Sequence, residues 1–324
     1  MSNLQCRQIA IDELEEYDRL VDRVGTVFGQ RRWLELLDGY TVYMGLFDGG
    51  NTLVGAWPLQ LNRRLGLSIL IRSQFTQSCG PYFSPELDVA KSGLENRRFF
   101  LSEICKFLCT KRLALCCLPL DRRIADAMVF RWANYKVVPA YTYRIPLEQT
   151  EDAIQAAFSS TRRRNIRAAL RDKLRVTEIN DYTIIERLSL GTYHRQNKKV
   201  AVSSMRRVLY EFSNRDNSYA FVAFRGDHAV AGVHCVYDRD SAYYLIGGYD
   251  ETHAHHGAGA ACMQAAILKA KELGLKLFDF EGSTVPAIER YFRGFGGELV
   301  QYLTVNRAWL PIEVLLKLKL RYLF

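Results

Sequence analysis

The chain has little that would suit export or membrane insertion. Its first twenty residues are polar and acidic, whereas a signal peptide needs a basic flank followed by an apolar core. No run approaches the roughly 18 to 20 uninterrupted apolar residues of a membrane helix. The best candidates, Leu65 to Ile71 and Leu113 to Leu120, are strand-sized. Low-complexity sequence is missing, and 22 glycines and 8 prolines are unexceptional, which excludes collagen-like and disordered classes. Cysteine is sparse and scattered, at positions 6, 79, 105, 109, 116, 117, 235 and 262. Neither a paired zinc spacing nor the density of a disulfide framework emerges, so these read as reduced thiols packed in cores, with no metal site. The expectation is a globular protein of the cytoplasm.

What is present is enough apolar sequence for two cores. The 324 residues are 48% hydrophobic, and their length predicts two domains. Pro146 ends a strand-like run, so the division expected is 1–146 and 147–324. A net charge of +9 favours anionic partners without naming one. Seven basic and three acidic residues fall between Glu151 and Arg175, so the excess is concentrated there.

Periodicity predicts a helix over 11–24, a short helix over 31–37, and strands over 41–47 and 53–60 joined by the turn Asp48-Gly49-Gly50-Asn51. A strand over 69–72, a helix over 94–112, a strand over 114–118, a helix over 123–132 and a strand over 137–145 follow. The second half opens with Thr150 as a helix cap, an apolar rhythm from Glu151 to Leu174 with arginines on the other face, and helices over 184–199 and 204–214. Strands over 219–225, 229–238 and 242–249, a helix over 259–273, a strand over 276–281, a helix over 286–293 and a strand over 298–306 complete it. Helices first, then an antiparallel meander, then a crossover helix into a near-parallel strand, is an α/β (α+β) order that both halves share without a residue-level repeat.

The stretches Phe278-Asp279-Phe280-Glu281-Gly282-Ser283 and Ile288-Glu289-Arg290-Tyr291-Phe292-Arg293-Gly294-Phe295-Gly296-Gly297 resemble the FemAB-like branch of the GNAT superfamily. Arg162-Arg163-Arg164-Asn165-Ile166-Arg167 and Tyr244-Leu245-Ile246-Gly247-Gly248-Tyr249 agree with it. The resemblance implies two GNAT-like domains, each a mixed, mainly antiparallel sheet under helices, and transfer of an acyl or aminoacyl group to an amine. It implies either acyl-CoA or aminoacyl-tRNA as donor, and a small molecule or cell-envelope precursor as acceptor. The peptidoglycan-bridge enzymes of that branch often carry a long helical arm in the second domain. Here only two ordinary helices fill 175–219, which favours coenzyme A over tRNA. A non-catalytic RNA-binding or scaffold protein of the same fold is the alternative from another class.

Amide formation requires a base for the amine, a polarised carbonyl and a proton for the leaving group. Gly257-Ala258-Gly259-Ala260 opens a helix whose N–H groups could hold a pyrophosphate, the role the resemblance gives that turn; a helix that merely starts tightly against its strand reads the same way. Asp279 and Glu281 fall on one face of their predicted strand, where one could serve as base or both could pair with Arg290 and Arg293. Glu281, nearer the strand end, is the preferred base, and Ser283 would orient substrate or cap the next helix. Tyr249 is a proton donor or a packing residue. Arg163, Arg167, His194 and Arg293 are candidates for binding substrate, the arginines because acidic partners one helical turn away are scarce. His253, His255 and His256 form no recognised metal spacing. Residues 309–324 mix leucines with Lys317, Lys319 and Arg321, a composition that suits the inner face of a membrane and equally a helix packed on its own domain.

Overall fold

The computed structural model describes residues 4–89, 92–282 and 285–319. The chain forms two compact units, Met1–Ala140 with Gln301–Phe324, and Tyr141–Val300. In the first, β1 (Gln5–Gln8), β2 (Tyr40–Phe47), β3 (Leu53–Arg64) and β4 (Leu67–Ile71) run antiparallel in that order, and β5 (Tyr82–Phe83) adds to β3. β6 (Leu115–Pro119) then lies parallel to β4. The helices are α1 (Leu14–Val24), α2 (Arg31–Leu34), α3 (Pro85–Val89), α4 (Gly93–Thr110) and α5 (Met128–Trp132). α1 illustrates why the sequence folds locally: Tyr17, Leu20 and Val21, one helical turn apart, are its buried residues, and Gly25 caps it.

β7 (Lys136–Pro146) passes into the second unit at Tyr141. There follow α6 (Glu151–Ala156), α7 (Ser160–Arg171), β8 (Arg175–Ile179), α8 (Thr183–Arg195), α9 (Val202–Arg206), β9 (Ser218–Arg225), β10 (His228–Tyr237), β11 (Ser241–Tyr249), α10 (Ala258–Glu272), β12 (Leu277–Asp279) and α11 (Pro286–Arg293). β8 to β11 are antiparallel neighbours, β12 is parallel to β11, and β7 is antiparallel to β12. β13 (Glu298–Ala308) begins in this unit and pairs antiparallel with β6 of the first, from Thr304 opposite Pro119 to Ala308 opposite Leu115. α12 (Leu310–Lys319) follows. Each unit is thus four antiparallel strands, a fifth in parallel and an antiparallel closing strand, the duplicated mixed sheet expected from element order.

The division expected after Pro146 keeps everything beyond it together, whereas residues 301–324 belong to the first unit. A ladder decides this membership, and strand periodicity alone carries no information about the partner. The single helix expected over 151–174 is two, because Ser159 caps a fresh start by accepting the Arg162 N–H at 3.3 Å. The strand expected over 276–281 ends at Asp279.

The core of the second unit lies between the sheet and α10, which buries Ala258, Ala260, Cys262, Met263, Ala266, Ile267 and Ala270. Small residues let this helix approach the strands closely. All eight cysteines are free thiols, with 105, 116, 235 and 262 buried.

β10 buries one polar side chain without full compensation. His234 is completely buried, edge-on to Tyr182, with Nε2 3.0 Å from Ser213 Oγ. Ser213 donates its proton to the Val208 carbonyl, so Nε2–H must be the donor to it, and Nδ1 is left without a partner. Burial pushes this imidazole from 6.5 down to about 3. Between those values the unfolded chain binds the proton and the folded chain does not, so stability falls as pH drops through that window. The expected contribution to the slope is up to about 1.4 kcal/mol per pH unit. Urea unfolding measured across the range should show it, and His234→Asn should flatten it; equal slopes for the two proteins would rule it out.

Candidate active site

The site grows from a parting of strands. β11 and β12 pair only from Ser241 opposite Leu277 to Tyr243 opposite Asp279, yet β11 runs on to Tyr249. Beyond the last pair, Phe280 stacks on Phe292 at 5.0 Å and Tyr244 meets Phe292 edge-on at 5.7 Å, so buried aromatic side chains pack where the strands part. Glu281 follows in a left-handed conformation, φ +61°, with Gly282 at +70°. This sharp break ends the strand and takes Glu281 out of the alternation that would set it beside Asp279.

Asp279 is committed elsewhere. It is 2% exposed, its Oδ2 receives Arg144 Nε at 2.7 Å, and its Oδ1 receives Thr142 Oγ1 at 2.6 Å and the Glu281 N–H at 2.9 Å. Its ion pair is therefore with Arg144 on β7 and not with Arg290 or Arg293. Arg293 instead reaches Glu289 on its own helix at 3.3 Å, and Glu289 also accepts the Tyr143 hydroxyl at 2.6 Å.

The first turn of α10 stands beside the same opening. Gly257 is required there by close approach, since a Cβ would come 2.1 Å from the Asn165 carbonyl oxygen on α7. Its N–H donates to His255 Nδ1 at 3.1 Å, and the Ala258 N–H goes to the His255 carbonyl. The N–H groups of Gly259 and Ala260 are the donors that helix geometry leaves open. His255 Nε2 in turn lies 3.0 Å from Asp172 Oδ2, a carboxylate that Arg171 and then His255 hold down to about 2. One imidazole thus ties the end of α7 to the start of α10.

Tyr291 on α11, which sequence reasoning missed, reaches this turn: a Cβ built on Gly259 would meet its hydroxyl at 3.4 Å. The Arg162 guanidinium lies 4.3 Å over the Tyr291 ring. Burial raises the Tyr291 phenol above its ordinary range, with Arg162 pulling the other way, so it carries its proton at neutral pH. The signal in the sequence was the aromatic face of 286–295 opposite the glycine turn.

The other sequence candidates are placed as follows. Arg163 donates to the Ala156 and Phe158 carbonyls at 2.7 and 2.6 Å, closing the end of α6. Arg167 and His194 are exposed. Tyr249 is 47% exposed under the Arg195 guanidinium at 4.2 Å, and its carbonyl accepts from Arg195. Ser283 lies outside the described residues. His253 stacks on His228 and His255 on His256, and among the described residues no group of three His, Cys, Asp or Glu side chains could hold a metal.

Residues 156–293 match the Acetyltransferase (GNAT) domain family, a span that includes α7, α10, β12 and α11. No curated protein sequence matches the chain. Among solved structures the chain is similar to FemX, with 13% identity over 97% of this chain and 99% of that one and a TM-score of 0.70. It is similar to the C-terminal domain of a candidate lysylphosphatidylglycerol synthetase from Agrobacterium fabrum, with 10% identity, coverage of 94% and 95%, and a TM-score of 0.59. A tandem GNAT protein from the clavulanic acid biosynthesis pathway gives 12% identity, coverage of 94% and 98%, and a TM-score of 0.57. At such identities the likeness is one of fold. The domain match places residues 156–293 in the GNAT acetyltransferase family, an acyltransferase domain, and the likeness to the solved structures gives the chain as a whole their two-unit fold.

Proposed function

We propose that the chain transfers an acyl group from an acyl-CoA to an amine on a small molecule or cell-envelope precursor. The observation that carries this reading is the parting of β11 and β12 beside the open N–H groups of α10. The Gly259 and Ala260 N–H groups fit a donor phosphate, and the apolar arm behind it would lie along the stretch where the two strands part. In the reaction the amine nitrogen forms a bond to the thioester carbon, the C–S bond breaks, and the amine proton leaves for a base while the thiolate gains one. Glu281 is the base, and Tyr291 the proton donor. Asp279 and Arg144 hold the strand end that presents Glu281.

A second reading, aminoacyl-tRNA as donor, draws on the exposed Arg164 and Arg167 of α7. Thermal unfolding with added coenzyme A separates the two. Protection of the wild-type chain is expected, with acyl-CoA consumption followed by thiol release. No protection, together with transfer from charged tRNA, would overturn the first reading. Within it, His255→Ala should raise the KM for acyl-CoA by about tenfold and change kcat less, because the turn loses one fixing hydrogen bond.

A further inference from the structure

α12 buries none of its ten residues, although six of them are aliphatic. Leu310, Val314, Leu315 and Leu318 are 74%, 51%, 51% and 72% exposed, and Pro311 is exposed beside them. At about 100° per residue these five side chains fill one arc of about 140°. Lys317 and Lys319, both exposed, fall just outside its two edges, about 20° and 40° beyond, and Lys317 Nζ lies 2.8 Å from Glu313 Oε1 one turn back on the same helix. Ile312, Glu313 and Leu316, half-buried, take the opposite side. Trp309, 48% exposed, precedes the helix and anchors it through its N–H to the Ala114 carbonyl at 3.0 Å. The helix is therefore seated on its polar-edged inner side and turns an unbroken apolar strip outward.

Size and charge decide what covers that strip. A ten-residue helix is about 15 Å long and about 10 Å wide, far short of the roughly 800 Å² per partner that a stable protein interface buries. A second copy docking through α12 alone is thus too small a contact. A lipid interface requires no matching shape, accepts a shallow apolar arc, and favours lysines at both edges, where their stems lie along the acyl boundary and their ammonium groups meet phosphates. The net charge of +9 draws the chain to an anionic surface.

We propose that α12 lies in the plane of an anionic lipid surface, its Leu310–Leu318 strip entering the acyl boundary and Lys317 and Lys319 contacting headgroup phosphates. This is independent of which donor the enzyme uses. The test is sedimentation of the full chain with vesicles of phosphatidylcholine alone and of phosphatidylcholine with an equal amount of phosphatidylglycerol. The wild-type chain should sediment with the anionic vesicles, more weakly as salt rises. Leu310→Glu with Leu318→Glu should lower the partition at least about tenfold at unchanged thermal stability, since both side chains are exposed. Lys317→Gln with Lys319→Gln should reduce the salt dependence. Absence of wild-type binding to anionic vesicles, or equal binding by the leucine variant, overturns the proposal. So does a wild-type dimer in ultracentrifugation that the leucine variant dissolves without any vesicle binding, which would assign the strip to a second copy.

Discussion

Glu281→Gln is expected to slow acyl transfer by about 10² to 10⁴ while thermal unfolding stays where it is. The reason is positional. Glu281 stands two residues past the end of β12 at φ +61°, half-buried, on the stretch where β11 has already parted from its neighbour. Its backbone is pinned by the 2.9 Å bond from its own N–H to Asp279. Gln preserves that bond, the side-chain shape and the backbone preference, and removes only the capacity to take a proton at neutral pH. Single-turnover rates with acyl-CoA and an amine measure the effect. Full activity would move the base to a water relay, because Asp279 is already occupied by Arg144. A lower unfolding temperature would make Glu281 a structural residue instead.

Asp279→Ala should be the most destabilising single change in the second unit. Arg144 is 5% and Asp279 3% exposed in their side chains, and removing one member leaves a buried charge with no counterpart. Such losses run to about 3 to 5 kcal/mol. The Thr142 hydroxyl and the Glu281 N–H lose their acceptor as well. Replacing both, Arg144→Met with Asp279→Ala, should recover part of the loss, since two apolar side chains suffer no desolvation. Urea unfolding of the single and double variants gives the coupling directly, and strictly additive losses would show that the pair does not act as one.

These expectations also mark how far the sequence could be read. The meander from Ser218 to Tyr249 agrees with its expected bounds to about a residue, because Gly226-Asp227 and the alternating apolar pattern are local signals. Helix α11 was equally clear, with Pro286 at its start and Gly294 after its end. The edge strands β1 and β8 were missed, since Gln5–Gln8 and Arg175–Ile179 have too little apolar alternation to mark a strand. In the site, the glycine turn was legible from spacing. Arg144 was not: it stands 135 residues before Asp279, and no short-range pattern points across that gap. The arginine-rich stretch was legible as a helix, yet its composition did not tell which arginine turns inward. Arg162 meets Tyr291, whereas Arg163 serves the preceding helix end.

The closing strand of the first unit has a consequence for the order in which the protein can be made. β6 emerges from the ribosome early, but its ladder partner, Thr304–Ala308, is encoded after the whole second unit. At ordinary synthesis rates of about 5 to 20 residues per second, that leaves a strand edge bare for roughly ten to forty seconds. The nascent first unit is therefore a natural client for chaperones, and ribosome stalling within the second unit should expose it to aggregation long before that unit is complete.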